Sequence, residues 1–219
     1  MKTQFICLAN SFKEGGRCLA GIEIDNSTPK LVNEQPKWIR PVCNNEFGGI
    51  PASLVMHISI LDIVEIDVID YSDIDSHQRE NALFDEDSIE IVGRYDVNRI
   101  EKLCDDRPLI FGSKGKAVHY ENIGSLDHSL MLIKIFYFEI VQRTDEYDQN
   151  RTQMRLKFSY KTNIYDLPIT DPIFLDRIRY EPQYIDNIQE LFLCLSLGRE
   201  WMGWYYKLIA GIIPIYWDD

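Results

Sequence analysis

The chain has 219 residues, 45% of them hydrophobic and 12% aromatic, which excludes intrinsic disorder and suits one large domain or two small ones. Its formal net charge of −12 argues against a protein that coats DNA indiscriminately, because phosphate binding leaves a basic footprint. The charge is uneven, though: residues 62–107 hold five Lys/Arg against fifteen Asp/Glu, net −10, so a local cationic groove elsewhere stays open.

In chain order, short runs rich in Ile, Val, Phe and Tyr, bounded by Gly, Pro, Asn and Asp, predict strands. The first half gives FICLA (5–9), CLAGIEI (18–24), KWIRPV (37–42), LDIVEIDVIDY (61–71) and a weaker SIEIVGR (88–94). Leu61, Ile63, Ile66 and Val68 do not alternate strictly with the acids, which predicts a bulge there. DVNRIEKLCDD predicts a short helix with Asp96 as N-cap and Val97, Ile100 and Leu103 on one face. The acidic stretch 71–88 is expected to be a mobile loop.

The second half repeats the rhythm. SLMLIKIFYFEIVQR (129–143) is long enough for a strongly bent strand. QMRLKFSY (153–160) and IYDLPIT (164–170) flank Lys161-Thr162-Asn163, read as a three-residue hairpin loop with Asn at positive φ. ELFLCLSLG (190–198) and WYYKLIAGIIPI (204–215) form a last pair, with a short helix over 182–189 before it. Each half thus offers about five strands with a short helical insert, the outline of an OB-fold barrel. The expected fold is mainly β, two OB-fold-like five-stranded barrels packed in one unit with short helices. The barrels are assigned to 1–118 and 119–219, with the joint in the polar connection at 117–129.

Nothing predicts a leader: the run FICLA is too short and no cleavage site follows it. LMLIKIFYFEIV and YYKLIAGIIPIYW are too short or too interrupted by charge to span a bilayer. A soluble, cytoplasmic protein is expected. The five cysteines (Cys7, Cys18, Cys43, Cys104, Cys194) contain no close pair, so no metal or cofactor is expected and they read as small hydrophobes in a reducing compartment.

Several stretches together resemble the dual OB-fold domain family of prokaryotes: CLANSFKEGGRCLAG at 7–21, WIRPV at 38–42, LDIVEI at 61–66, HQREN at 77–81, SLMLI at 129–133, FSYKTNIYDLPITDP at 158–172 and LCLSLGREWMGWYYKLIAGII at 193–213. They run in order over nearly the whole chain. The resemblance implies two OB barrels and an accessory protein of mobile-element or phage-defence neighbourhoods, with nucleic-acid binding inferred from the fold. It carries no catalytic motif. After the Asn10-Ser11 pair, where members often place a second basic residue, this chain has Phe12 and then Lys13.

The candidate contacts are cations with aromatics nearby. Lys13 and Arg17 flank Gly15-Gly16, whose N–H groups can face a phosphate; the same glycines also suit a plain turn. Trp38 and Arg40 share a strand face, which suits base stacking beside a backbone contact, or a core Trp with a structural ion pair. Pro41 predicts an edge strand or a strand end. Lys114 and Lys116 lie in GSKGKA, read as a flexible basic loop, because the P-loop spacing is absent. Arg155 and Lys157 share one face of a hairpin strand, with Tyr160 on the other. Arg199 and Lys207 bracket Trp201, Trp204 and Tyr206, a cluster that suits stacking or a packed barrel base, packing being favoured for the two tryptophans. The carboxylates of 62–87 run along one strand and loop, and Asp62, Glu65 and Asp67 do not all point one way, so a hydrolase is disfavoured. The expected function is a non-enzymatic protein binding single-stranded DNA or RNA in a prokaryotic defence or mobile-element system. The alternative is an adaptor that grips a basic protein through its acidic loop or a sheet edge.

Overall fold

The computed structural model describes residues 1–71, 77–144 and 152–217. The chain forms two compact units, Met1–Asp105 with Asp127–Ser129, and Asp106–Leu126 with Leu130–Asp219. The division therefore falls earlier than the expected 118/119. Ile110, Phe111 and Val118 supply the reason: all three are buried in the core of the second unit.

The first unit is a five-stranded ring. Its strands are β1 (Lys2–Lys13), β2 (Gly16–Asp25), β3 (Trp38–Val42), β4 (Asp62–Tyr71) and β5 (Asn81–Phe84). They pair in the order β1-β2-β3-β5-β4, and β4 returns to β1 from Lys2↔Asp67 to Ile6↔Ile63. All contacts are antiparallel except β3 with β5, which run parallel. The short helix α1 (Ala52–Val55) lies between the third and fourth strands. That order and that helix position are those of an OB-fold barrel. Phe5, Leu19, Ile39, Val64, Ile66 and Phe84 fill its interior. Gly16 is demanded by packing: with φ +149, a Cβ there would lie 2.2 Å from the Ile50 carbonyl oxygen.

Several expectations shift here. The bulge in 61–71 is present as register breaks in β4 against β5 and against Glu90–Arg94, while its pairing with β1 is unbroken. Within the acidic stretch 71–88, residues 72–76 lie outside the described ones, but Asn81–Phe84 is strand and Glu86–Ser88 a helical turn. Pro41 does not mark an edge: β3 is flanked by β2 and β5, and Pro41 pairs in register with Ala82. The strand Glu90–Arg94, here β6, extends the sheet from β4. The helix after Asp96 is a 3-10 helix, Val97–Leu103, capped by the Asp96 side chain. Apolar residues at 97, 100 and 103 fit its three-residue turn.

The second unit uses β7 (Ala117–His119), the helical turn α2 (Tyr120–Ile123), β8 (Leu130–Ile135), β9 (Phe138–Thr144), β10 (Thr152–Tyr160), β11 (Asn163–Pro168), α3 (Pro172–Tyr180), β12 (Ile188–Trp201) and β13 (Trp204–Tyr216). The long bent strand is broken at 136–137: β8 pairs β12 and β9 pairs β10. Counting β8 and β9 as one first strand, the neighbours follow the same OB order, with α3 between the third and fourth strands. Third and fifth strands meet only at a parallel bridge, Ile169↔Ile209. Asp171 caps α3 and Pro172 opens it, the favoured pairing of residue and position. The expected helix at 182–189 is a 3-10 turn over Pro182–Ile185. The loop at 161–163 is a residue shorter than expected: Asn163 pairs Tyr160, and Lys161 takes the positive φ. β12 and β13 join through Met202 (φ 51) and Gly203 (φ 84), a twist that suits a two-residue hairpin.

Candidate nucleic-acid interface

Arg40 and Lys207, expected as groove cations, are withdrawn from solvent at 1% and 0% exposure. Arg40 Nη2 lies 3.0 Å from Glu80 Oε1 and donates to Ser129 Oγ at 3.0 Å; Ser129 in turn donates to Glu80. Lys207 Nζ donates to the Ser113 carbonyl at 2.6 Å and lies 5.1 Å from the Tyr165 ring centre. A buried cation needs such partners, and neither side chain is left to meet a phosphate.

Arg17 is half-buried, its guanidinium 4.8 Å from the Phe12 ring centre and 3.5 Å from the Asn10 carbonyl. Its backbone exchanges hydrogen bonds with Ile50. The double-glycine turn is thus built to touch its own chain. Lys13 and Trp38 are half-buried in the same unit.

The second unit does gather cations. A groove of about 570 Å³ is lined by Lys114, Lys116, Arg143, Arg155, Trp201 and Tyr206, with Asp166 in its floor. Strand parity explains the membership. Leu156, Phe158 and Tyr160 point into the core, so Arg155 and Lys157 point out, as their spacing predicts. Register then sets Arg143 opposite Gln153, Val141 opposite Arg155, and Asp166 opposite Lys157 on that outer face. Asp166 bridges two cations, Arg143 Nη2 and Arg155 Nε, each at 2.6 Å. Burial pushes the Asp166 carboxyl up, but the hydrogen bond and charge of Arg155 and the charge of Arg143 outweigh it and hold the carboxyl below its usual range. Four cations face one acid in the lining, so the groove is cationic in an anionic protein.

The aromatic rim comes from the β12–β13 turn. Trp201 and Trp204 are 44% and 42% exposed, against the expected packing. Trp201 lies 6.0 Å from Tyr206, and Trp204 meets His119 edge-on at 4.8 Å. The loop 113–117 is tied down, not flexible: Ser113 Oγ donates to the Ala117 carbonyl, and Lys207 N to the Lys116 carbonyl. Lys114 and Lys116 are exposed on it. Lys157 and Arg199 are exposed but do not line the groove. Of the expected contacts, the groove therefore brings together Lys114, Lys116 and Arg155. Arg143 was missed by sequence reasoning; its signal is a cation at the end of a first OB strand, beside the loop to the second.

The carboxylates of β4 do not converge: Asp62 pairs with Arg94, Glu65 with Lys2 and Gln4, and Asp67 with the N-terminus. Among the described residues no three His, Cys, Asp or Glu side chains come together to hold a metal ion. The cysteines are free, and burial with a Glu86 hydrogen bond pushes the Cys43 thiol up to about 12. No helix among the described residues is long and apolar enough to cross a membrane.

Two units with OB strand order, one bearing a cationic and aromatic groove, define a tandem OB-barrel protein. The family model of the dual OB-containing domain matches residues 3–212. The chain belongs to that family. Comparison with curated proteins found no match. Among solved structures, the Ifi202 HINa domain in complex with 20-bp double-stranded DNA is similar at 14% identity and a TM-score of 0.37, covering 99% of this chain and 97% of that one. A murine DNA-binding protein bound with double-stranded DNA is similar at 8% identity and a TM-score of 0.34, covering 99% and 98%. Likenesses this slight carry no weight for the ligand.

Proposed function

We propose that the chain is a non-enzymatic nucleic-acid-binding protein that holds a single strand of DNA or RNA in the groove of its second barrel. The observation that carries the reading is the place of that groove. OB folds bind oligonucleotides across the second and third strands, between the loops joining strands one and two and strands four and five. Here Arg155 stands on the second strand, Asp166 on the third, Arg143 at the end of the first, and Trp201 and Tyr206 flank the last turn. Cations track a backbone while an exposed indole stacks on a base, and stacking requires bases freed from a duplex. An accessory role in a prokaryotic defence or mobile-element system is supported by the family resemblance alone.

The test is fluorescence anisotropy of labelled single-stranded DNA, single-stranded RNA and duplex DNA with the full chain at low salt. Salt-sensitive binding that prefers a single strand is expected, weakened about tenfold by Trp201→Ala, in line with the ~1–3 kcal/mol of a stacked base. Absence of salt-sensitive binding to all three probes would sink the reading and leave the adaptor alternative.

A further inference from the structure

Lys207 is a fully buried lysine whose amine meets a backbone carbonyl and the face of an aromatic ring. Its strand neighbours Tyr206 and Leu208 line the groove, yet Lys207 itself does not. Its reach is inward, to the carbonyl of Ser113. That carbonyl also accepts from Tyr165 Oη at 3.2 Å, and Lys207 N donates to the Lys116 carbonyl at 3.0 Å. These bonds grip both ends of the segment that exposes Lys114 and Lys116. Burial pushes the amine down to about 7, so at neutral pH and above the barrel need not carry a full interior charge to keep the donor. A methionine of similar length fills the space as well; only the amine supplies the hydrogen bond.

Resting on the groove reading above, we infer that Lys207 is a positioning residue for nucleic-acid binding, which pins the 113–117 loop from inside the barrel so that Lys114 and Lys116 meet the backbone pre-placed. Pre-placed cations lose less freedom on binding, and that saving is where the affinity comes from.

The test is a mutant cycle on the full chain with a labelled single strand. Lys114→Ala with Lys116→Ala is expected to weaken binding about tenfold and to lower the salt slope by about 1.4, two contacts at ~0.7 each. Lys207→Met is expected to reproduce most of that loss and of the slope change, yet to add less than twofold in the doubly substituted background. Hydrogen exchange at 114–117 is expected to quicken in Lys207→Met without any ligand. If that variant does not fold, Tyr165→Phe removes the second bond to Ser113 with little change of shape, and a smaller loss of the same pattern is expected. Normal binding, unchanged exchange in the loop, or an undiminished loss in the doubly substituted background would overturn the inference. No effect of the Lys114/Lys116 pair would instead count against the groove itself.

Discussion

The two barrels solve one problem with opposite charges. In an OB ring the third and fifth strands meet in parallel, a pairing slightly weaker per residue than an antiparallel one. The first barrel closes there with three ladder pairs, Arg40↔Asn81 to Val42↔Leu83, and sets a buried cation at the joint, held by Glu80 and Ser129. The second closes with one bridge and sets a buried anion beside it. Asp171 accepts from the N–H groups of Ile173 and Phe174 with one oxygen and from Ile212 with the other. Thr170 adds two bonds to the Ile209 carbonyl. Where the ladder is short, side chains take over the stitching.

The largest effect should come from breaking the first joint. Glu80→Ala removes the carboxylate that faces buried Arg40 Nη2 and is expected to cost about 3–5 kcal/mol, whereas Arg40→Met with Glu80→Leu should recover most of it. Trp38, the one tryptophan of the first unit, reports this unfolding by its fluorescence. Recovery no better than the single variant would mean that the pair does more than satisfy itself. Breaking the second joint comes next. Asp171→Ala orphans three N–H groups, two of them buried, and is expected to cost about 3 kcal/mol, read as loss of exchange protection over 172–180 with the first barrel unchanged.

Smaller effects sharpen the contrast. The folded Lys207 holds its proton less tightly than an unfolded lysine does. Between pH 7 and 10 the unfolded chain therefore binds more protons, and this group makes stability rise with pH, by up to about 1.4 kcal/mol per unit. Below pH 7 the penalty is complete and constant. Denaturation of wild type and Lys207→Met across that window should show this contribution to the slope missing from the variant. Last, Arg17→Ala removes one half-buried cation–π contact on an exposed ring and should cost about 0.5 kcal/mol by thermal melt, with strand binding unchanged because the groove lies in the other unit.

Much of the architecture was legible because strand periodicity is local. Runs such as LDIVEIDVIDY and LFLCLSLG announce themselves, and the cap at Asp96 follows from residue chemistry, whereas α3 and its Asp171 cap went unread because the run PIFLDRIRY is short and follows a strand directly. β5 was hidden because NALF is four residues long, set among acids, and its parallel partner WIRPV lies far back in sequence. Side-chain type misled in both directions for the same reason. Arg40 and Lys207 look like surface cations until Ser129 and Ser113, 89 and 94 residues away, supply their partners. Trp201 and Trp204 look like core until the strands carry them out to the tip of a hairpin. Side-chain type announces a preference; only the distant partner decides it.

The excursion of residues 127–129 back to the first unit has a practical edge. A gene cut after codon 105 would yield a first half that lacks Ser129, so its inner arginine and glutamate would be short of the hydroxyl that joins them. Whoever dissects this protein cannot do so with one pair of scissors: the fragments must overlap, and a recombination event that swaps one barrel for another must carry those three residues along.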